Sequence, residues 1–114
     1  MLKHHCQYQL ALCEDVLTIR LGGEIDHHSA VGIRQALDEE IARLRPQKTV
    51  LDLSGIEFMD SSGLGLIMGR YALMQKIGGT LTVKNPNERL VKIFELAGLG
   101  RMIRIETDGE EDAT

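Results

Sequence analysis

Residues 58–65 read Phe-Met-Asp-Ser-Ser-Gly-Leu-Gly, and this stretch connects a predicted buried strand to a predicted amphipathic helix. The compact apolar run at 49–53 predicts the strand. The helix is predicted by apolar positions at helical spacing, which are Leu64, Ile67, Met68, Tyr71 and Met74. A hydroxyl at a helix start lies among backbone N–H groups without intrahelical partners, so it is held in place yet stays reachable from outside. We therefore place the functional site at this junction.

Small residues follow the two serines along the same helix. They are Gly63, Gly65, Gly69 and Ala72. Each glycine costs a helix about 1 kcal/mol relative to alanine, and a sequence accepts this cost most readily where another backbone must come close. From the sequence alone, contact with a partner protein and packing within the domain explain these glycines equally well.

The composition indicates one globular domain with an acidic end. The chain has 114 residues, of which 43% are hydrophobic, and this is enough for a single modest core. Acidic residues crowd the last positions and predict a disordered tail at 107–114, so the folded domain is predicted to span 1–106. The net charge of −4 argues against a nucleic-acid partner, because nucleic-acid binders normally carry a basic stripe.

The sequence also predicts a cytoplasmic protein with no membrane segment, metal or cofactor. No apolar run approaches the roughly 20 residues that span a bilayer, and the start of the chain lacks an apolar signal segment. Cys6 and Cys13 lie in what reads as one strand, at an odd separation that predicts opposite faces and no disulfide between them. Free thiols fit a reducing compartment. His27 and His28 adjoin and point in different directions, which argues against a metal pair.

The rest of the pattern predicts alternating strands and helices. Strands are predicted at 7–13, 16–21, 49–53, 80–84 and 102–105. A first helix begins at Asp26 and is stopped by Pro46. The strands that flank the second helix are predicted to be parallel neighbours. The fold class is therefore α/β, with one mixed β-sheet and helices packed mainly on one face.

The third helix has an unusually complete predicted start. Asn85 is predicted to cap it, with Pro86 at its first position and Glu88 placed to reach back to the cap. Gly98 is predicted to end this helix, as the pair Gly78-Gly79 ends the second.

Several of these segments together resemble the anti-sigma-factor antagonists of the STAS domain family. The resemblance lies in Gly23-Glu24-Ile25-Asp26-His27-His28, Val50-Leu51-Asp52-Leu53, residues 58–65, Gly69-Arg70-Tyr71 and Gly78-Gly79. It covers the chain from about Tyr8 to Arg104 in one register and implies the STAS fold. One departure is that the family usually closes with a further helix, whereas this chain is short and acidic from Thr107 onward.

The resemblance implies a partner switch. A family member of this kind binds an anti-sigma factor that is also a serine kinase, with ATP or ADP bound by that partner, and binding releases a sporulation sigma factor. Phosphorylation of one serine ends binding, and a serine phosphatase restores it. The family's phosphorylated serine falls on Ser61, and Asp26 falls beside it on the family's partner surface. The predicted partner-binding residues are Asp26, His27, Asp60, Ser61, Ser62, Gly63 and Gly65.

The residues leave simpler roles open. Ser61, Ser62 and Asp26 are types that cap helices without any further function. Arg70 and Lys76 are predicted to be solvated rather than functional.

Two other functions compete with the partner switch. Asp26, either histidine and Ser61 supply the residue types of a hydrolase triad, but the Gly-x-Ser-x-Gly elbow of such enzymes is absent, as is the phosphate-cradling Gly-x-x-x-x-Gly-Lys motif. We therefore predict that the chain is not an enzyme. The other alternative keeps the fold and changes the partner, to that of a stress or biofilm sigma-factor pathway or a phosphatase pathway.

Overall fold

The computed structural model describes residues 6–108, which form one mixed sheet and three α-helices. The strands are β1 (Gln7–Cys13), β2 (Val16–Ile25), β3 (Lys48–Met59), β4 (Thr80–Lys84) and β5 (Arg104–Glu106). The helices are α1 (His27–Leu44), α2 (Ser61–Lys76) and α3 (Glu88–Ala97), and a short 3₁₀ turn at Leu99–Arg101 follows α3.

The sheet is ordered β1-β2-β3-β4-β5, so each strand pairs with its neighbours in the chain. β1 and β2 form an antiparallel hairpin, and the other pairs are parallel. A parallel pair needs a long crossover connection, and α1, α2 and α3 supply these connections. The predicted α/β class and the parallel pairing of β3 with β4 are confirmed.

All three helices contribute to one core on one face of the sheet. Ile19, Leu51 and Val83 come from successive strands, Leu37 and Ile67 come from α1 and α2, and all five are fully buried in a single cluster. At about 25 cal/mol per Å² of apolar surface, each such side chain stabilises the fold by about 1.5–3 kcal/mol relative to an exposed position. The predicted packing of helices mainly on one face is confirmed.

Two strands extend beyond their predicted ends. β2 continues past Leu21 to Ile25, and β3 continues past Leu53 to Met59. The extension contains register shifts near Gly22 and Gly55, where a Cβ on Gly55 would lie 2.9 Å from the Leu21 carbonyl oxygen. A glycine is required at this close approach, and the extension carries both strands to the starts of α1 and α2.

The predicted start of α3 is wrong by two residues. The cap is Asn87, whose Oδ1 accepts a hydrogen bond from the Leu90 N–H at 2.9 Å. Asn85 instead adopts a left-handed conformation, with φ of 61°, and its N–H donates to the Glu106 carbonyl at 2.8 Å. Pro86 therefore precedes the cap rather than following it. Gly98 ends the helix in the left-handed conformation, as predicted.

Three smaller predictions also change. β5 is Arg104–Glu106 rather than 102–105, because the N–H groups of Met102 and Ile103 donate to the Leu99 carbonyl and hold these two residues in the turn after the 3₁₀ segment. Met68 is 36% exposed and does not belong to the buried stripe of α2. Cys6 precedes β1 and is buried, which raises the pKa of its thiol to about 11 through desolvation, while Cys13 is exposed; both are free.

The end of the predicted domain is only partly described. Asp108 is held by Asn85, whose Oδ1 accepts its N–H at 3.0 Å, and by Lys84, whose Nζ lies 3.1 Å from its carboxylate. Most of the predicted disordered tail, residues 109–114, lies outside the described residues. The division of the chain at 106 stays a prediction. Within 6–108, no helix is long and apolar enough to cross a membrane.

Candidate functional site

The site lies where α1 and α2 begin side by side. β2 and β3 run parallel, and their last paired residues are Ile25 and Met59. The hydrogen-bond ladder continues one step further, because the Asp60 N–H donates to the Ile25 carbonyl at 3.1 Å. Asp26 and Asp60, the residues that follow the two strands, are thereby fixed next to each other.

Both aspartates cap the helices that follow them. Asp26 Oδ1 accepts the Ser29 N–H at 2.8 Å, and the Ser29 hydroxyl accepts the Asp26 N–H at 3.1 Å, which completes a capping box. The hydrogen bond that the Ser29 N–H donates to the carboxylate favours its charged form, so the pKa of Asp26 is lowered. Asp60 Oδ1 accepts the Ser62 N–H at 2.8 Å. The predicted capping role of Asp26 is confirmed, and the alternative that Ser61 or Ser62 caps α2 is wrong because Asp60 does so.

Ser61 occupies the first position of α2 and is exposed to solvent. Its hydroxyl makes no hydrogen bond to any residue within 6–108. Ser62, the next residue, is half-buried and its backbone N–H is taken by the cap. Neither serine hydroxyl has a hydrogen bond within residues 6–108, so the two serines differ in exposure: Ser61 lies at the outer surface and Ser62 is half-buried.

A groove of about 210 Å³ separates α1 from α2 next to the serines. It is lined by His27, Ala30, Val31, Arg34, Ser62, Gly65 and Leu66. Of the predicted partner-binding residues, His27, Ser62 and Gly65 thus share this groove, while Asp26, Asp60 and Ser61 lie at the helix starts. No group of three or more His, Cys, Asp or Glu side chains in the described part of the chain could hold a metal ion.

The two glycines of the site have different surroundings. A Cβ on Gly63 would lie 2.7 Å from both the Cβ and the Sδ of Met59, so the buried Gly63 is required by packing inside the domain. A Cβ on Gly65 would meet nothing within 4 Å, and Gly65 is exposed. Internal packing therefore explains Gly63 and does not explain Gly65.

Arg70 contradicts its prediction as a solvated residue. It is 4% exposed, and its Nε lies 2.9 Å from Asp38 Oδ1 across the contact between α1 and α2. Its position could have been read from the periodicity, because the buried residues of α2 are Gly63, Leu66, Ile67, Arg70 and Met74. A charged side chain is rarely buried without a partner, and here the partner is Asp38. Lys76, by contrast, is exposed as predicted.

Comparison with known proteins places these features in a family. The STAS domain matches residues 8–112. The anti-sigma F factor antagonist of Paenibacillus polymyxa is 41% identical over 79% of this chain and 77% of its own length. The anti-sigma-B factor antagonist of Bacillus subtilis is 35% identical over 85% of this chain and 87% of its own.

A solved structure agrees with these relatives. The anti-sigma factor antagonist SpoIIAA in its unphosphorylated form is similar with a TM-score of 0.77 and 31% identity, over 92% of each chain. Both the sequence and the five-stranded mixed sheet with its three helices match. The family predicted from the sequence motifs is thereby confirmed, and this chain belongs to the STAS domain family.

Proposed function

We propose that this protein is an anti-sigma factor antagonist whose unphosphorylated form binds an anti-sigma factor, and that phosphorylation of Ser61 ends binding. The names of the relatives support the antagonist role. The observation that carries the proposal is the exposed and unengaged Ser61 hydroxyl, which adjoins the capping carboxylates Asp26 and Asp60. A kinase can reach this hydroxyl without unfolding any part of the domain.

A phosphate on Ser61 acts mainly at the surface between the two proteins. It adds about −1.5 to −2 charge beside two carboxylates. At the N-terminus of α2 this charge stabilises the helix by about 0.3–1 kcal/mol, so the domain stays folded. Burial of the same unpaired charge against a partner costs several kcal/mol. Since 1.4 kcal/mol is a factor of ten in affinity, this penalty is large enough to separate a micromolar complex.

The partner in this scheme is an anti-sigma factor that is also a serine kinase. The nucleotide, ATP or ADP, is bound by that partner, and this chain itself needs no cofactor. A serine phosphatase regenerates the binding form. We assign the switch to sporulation because an anti-sigma F factor antagonist is among the relatives, at 41% identity. We further propose that the switch operates in the cytoplasm without contact to nucleic acid or membrane.

A second pathway is the alternative. The anti-sigma-B factor antagonist of Bacillus subtilis matches a larger share of this chain, at 35% identity. The residues at the site do not indicate which of the two pathways applies, because an exposed serine and two capping aspartates are compatible with either anti-sigma factor. The alternative keeps the mechanism and replaces the sporulation anti-sigma factor by one of a stress pathway.

We propose no catalytic role for the chain. The Asp60 carboxylate is engaged by the Ser62 N–H, and the Ser61 hydroxyl has no hydrogen bond to a histidine within residues 6–108. A nucleophilic serine requires a base within hydrogen-bond reach. Ser61 is therefore a substrate for the partner's kinase activity.

The test mixes the protein with the sporulation and the stress anti-sigma factors of its own organism, each with ADP or ATP. Calorimetry with ADP measures binding, and mass spectrometry after incubation with ATP locates the phosphate. We expect tight binding to one of the two factors and modification of Ser61 alone. Ser61→Ala should bind and resist release by ATP, while Ser62→Ala should still be phosphorylated on Ser61 and released by ATP. Binding to neither factor, or phosphate on Ser62, would contradict the proposal.

A further inference from the structure

A buried ion pair connects the two helices that carry the proposed partner surface. Arg70 of α2 has a side chain that is only 5% exposed, and its Nε lies 2.9 Å from Oδ1 of Asp38 on α1. The Asp38 side chain is 42% exposed. A guanidinium is thus held inside the domain by one carboxylate that is itself partly in water.

The hydrogen bonding of this arginine is incomplete. The approach of Nε to Asp38 lies outside hydrogen-bond geometry, and Nη1 has no hydrogen-bond acceptor among residues 6–108. Burial lowers the pKa of Arg70, Asp38 partly offsets this, and the positive charge of the nearby Arg34 lowers the pKa further. A buried pair of this kind contributes little to stability, because desolvation offsets its Coulombic attraction. Its presence calls for a reason other than stability.

The position of the pair supplies that reason. α1 and α2 begin at adjacent strand ends and run in the same direction, so Arg70 and Asp38 lie behind the groove that His27, Arg34 and Ser62 line. Part of the groove lining is small or apolar, namely Ala30, Val31, Gly65 and Leu66. Such groups allow sliding, whereas a paired charge between two helices permits few relative positions.

We propose that Arg70 and Asp38 are positioning residues that set the relative placement of α1 and α2, and with it the distance between Asp26 and Ser61 on the partner surface. This inference rests on the proposed function for its partner. Neither residue touches the partner, since Arg70 is buried and Asp38 lies on α1 three turns from Asp26. The pair acts on affinity through the geometry of the groove.

The principal variant is Arg70→Met, which replaces the guanidinium by an apolar side chain and leaves Asp38 able to take up water. Its matched control is Arg43→Met, because Arg43 forms an exposed ion pair with Glu40 on the same helix, at 2.6 Å. Calorimetry against the anti-sigma factor and thermal unfolding are measured for both. Amide chemical shifts of the free proteins are compared at Asp26 and Ser61.

We expect Arg70→Met to weaken binding by about three- to thirtyfold, the range seen for residues that modulate a distant site. The melting temperature should change by less than about 5 °C, and the amide shifts of Asp26 and Ser61 should move. Arg43→Met should change none of these. Affinity within about twofold of wild type, or unmoved shifts at both residues, would overturn the proposal.

Two further arms keep the test decisive. If Arg70→Met does not fold, Asp38→Asn, which keeps the size of the partner group and removes its charge, is measured instead. Its affinity and its amide shifts should change as expected for Arg70→Met, and its melting temperature should fall further because the guanidinium stays buried without a counter-charge. If the wild-type protein binds no anti-sigma factor, the proposed function fails, and the shifts of Asp26 and Ser61 in the free variants still decide whether the pair positions the helices.

Discussion

The starts of α2 and α3 have the same local plan and different surroundings. Each helix follows a parallel strand and is capped by a side chain, Asp60 for α2 and Asn87 for α3. The Asp60 side chain serves only its own helix. The Asn87 side chain also donates from Nδ2 to the Ile56 carbonyl of β3, at 3.2 Å. The cap side chain of α3 is therefore tied into the sheet, whereas α2 is joined to the sheet through the backbone of Asp60 and its start remains open at the outer side.

The outward faces of the two helices differ in charge. α3 exposes Glu88, Arg89 and Lys92 near its start, as expected for a solvated surface. From its start to Ala72, α2 exposes Ser61, Gly65, Met68 and Ala72, and its one arginine is buried; its exposed lysine, Lys76, lies at the far end. A helix face without charge and with small residues suits contact with another protein. Two helix starts of the same local plan can thus differ in function, because the exposed side chains of α3 are charged and those at the start of α2 are small and uncharged.

The largest expected effect is a difference in partner affinity between charge changes on α2 and on α3. Ser61→Asp places a negative charge at the start of α2 and should weaken the complex with the anti-sigma factor at least about a hundredfold, because an unpaired charge is buried at the interface. The matched change Lys92→Glu on the outer face of α3 should leave the affinity unchanged. Calorimetry measures both. Equal loss in the two variants would show that net charge alone, rather than the α2 surface, governs binding.

The two glycines of α2 provide the next test, which concerns stability. Gly63→Ala should lower the free energy of unfolding by about 1–3 kcal/mol, because the new Cβ overlaps Met59. Gly65→Ala should raise it by about 0.5–1 kcal/mol, since the Cβ enters open space and alanine favours the helix. Urea unfolding compares the two variants. A stabilised Gly63→Ala would show that Met59 yields easily, and that packing does not require this glycine.

The caps themselves should differ modestly. Asp60→Ala should lower the free energy of unfolding by about 0.5–2 kcal/mol, the ordinary range for a helix cap. Asn87→Ala should lower the free energy of unfolding by more than Asp60→Ala does, to the upper end of that range or just above it. The reason is that it also removes the hydrogen bond to the Ile56 carbonyl. Urea unfolding of the two variants checks the order. If Asp60→Ala proves the more destabilising, the start of α2 is the more tightly integrated one, and the comparison is reversed.

The smallest expected effect is the pH dependence of stability that the Asp26 cap contributes. The pKa of Asp26 is lower in the folded protein, so its contribution to stability is present above the unfolded pKa and is lost as pH falls through the folded one. Asp26→Asn keeps a cap without the charge and should slightly flatten the pH dependence of the melting temperature on the acid side, below the ordinary pKa of an aspartate of about 3.9. Asn87→Ser should not change the slope. Parallel curves for Asp26→Asn and wild type would contradict a lowered pKa for Asp26.

Sequence patterns predict the position of most helices and strands, and they fail where contacts distant in sequence determine the bounds of an element. The hairpin strand at 7–13 and the strand at 80–84 were predicted with their observed bounds, because alternation and turn residues define them locally. β3 was ended too early because Ser54 and Gly55 interrupt its apolar run. Its last residues remain in the strand through pairing with β2, which no local pattern reveals.

The cap of α3 shows the same limit. Asn85-Pro86 fits a cap followed by a first helical proline, but Asn85 is held elsewhere by the Glu106 carbonyl and by Asp108. Asn87 takes the role because its amide can bridge to β3. Burial of Arg70 likewise depends on Asp38, which lies on another helix. The site at the start of α2 was found from the sequence because its motif is contiguous.

The hydrogen bond from the Asp60 N–H to the Ile25 carbonyl has a consequence for the entropy of association. Because the sheet itself fixes the residues next to Asp26 and Ser61, a partner that docks there freezes little backbone freedom. Ordering of loops is one of the usual penalties of complex formation, and it is largely absent at this edge. The difference in partner affinity between unphosphorylated and phosphorylated Ser61 then comes almost entirely from enthalpy and solvation, with no folding step between the two forms.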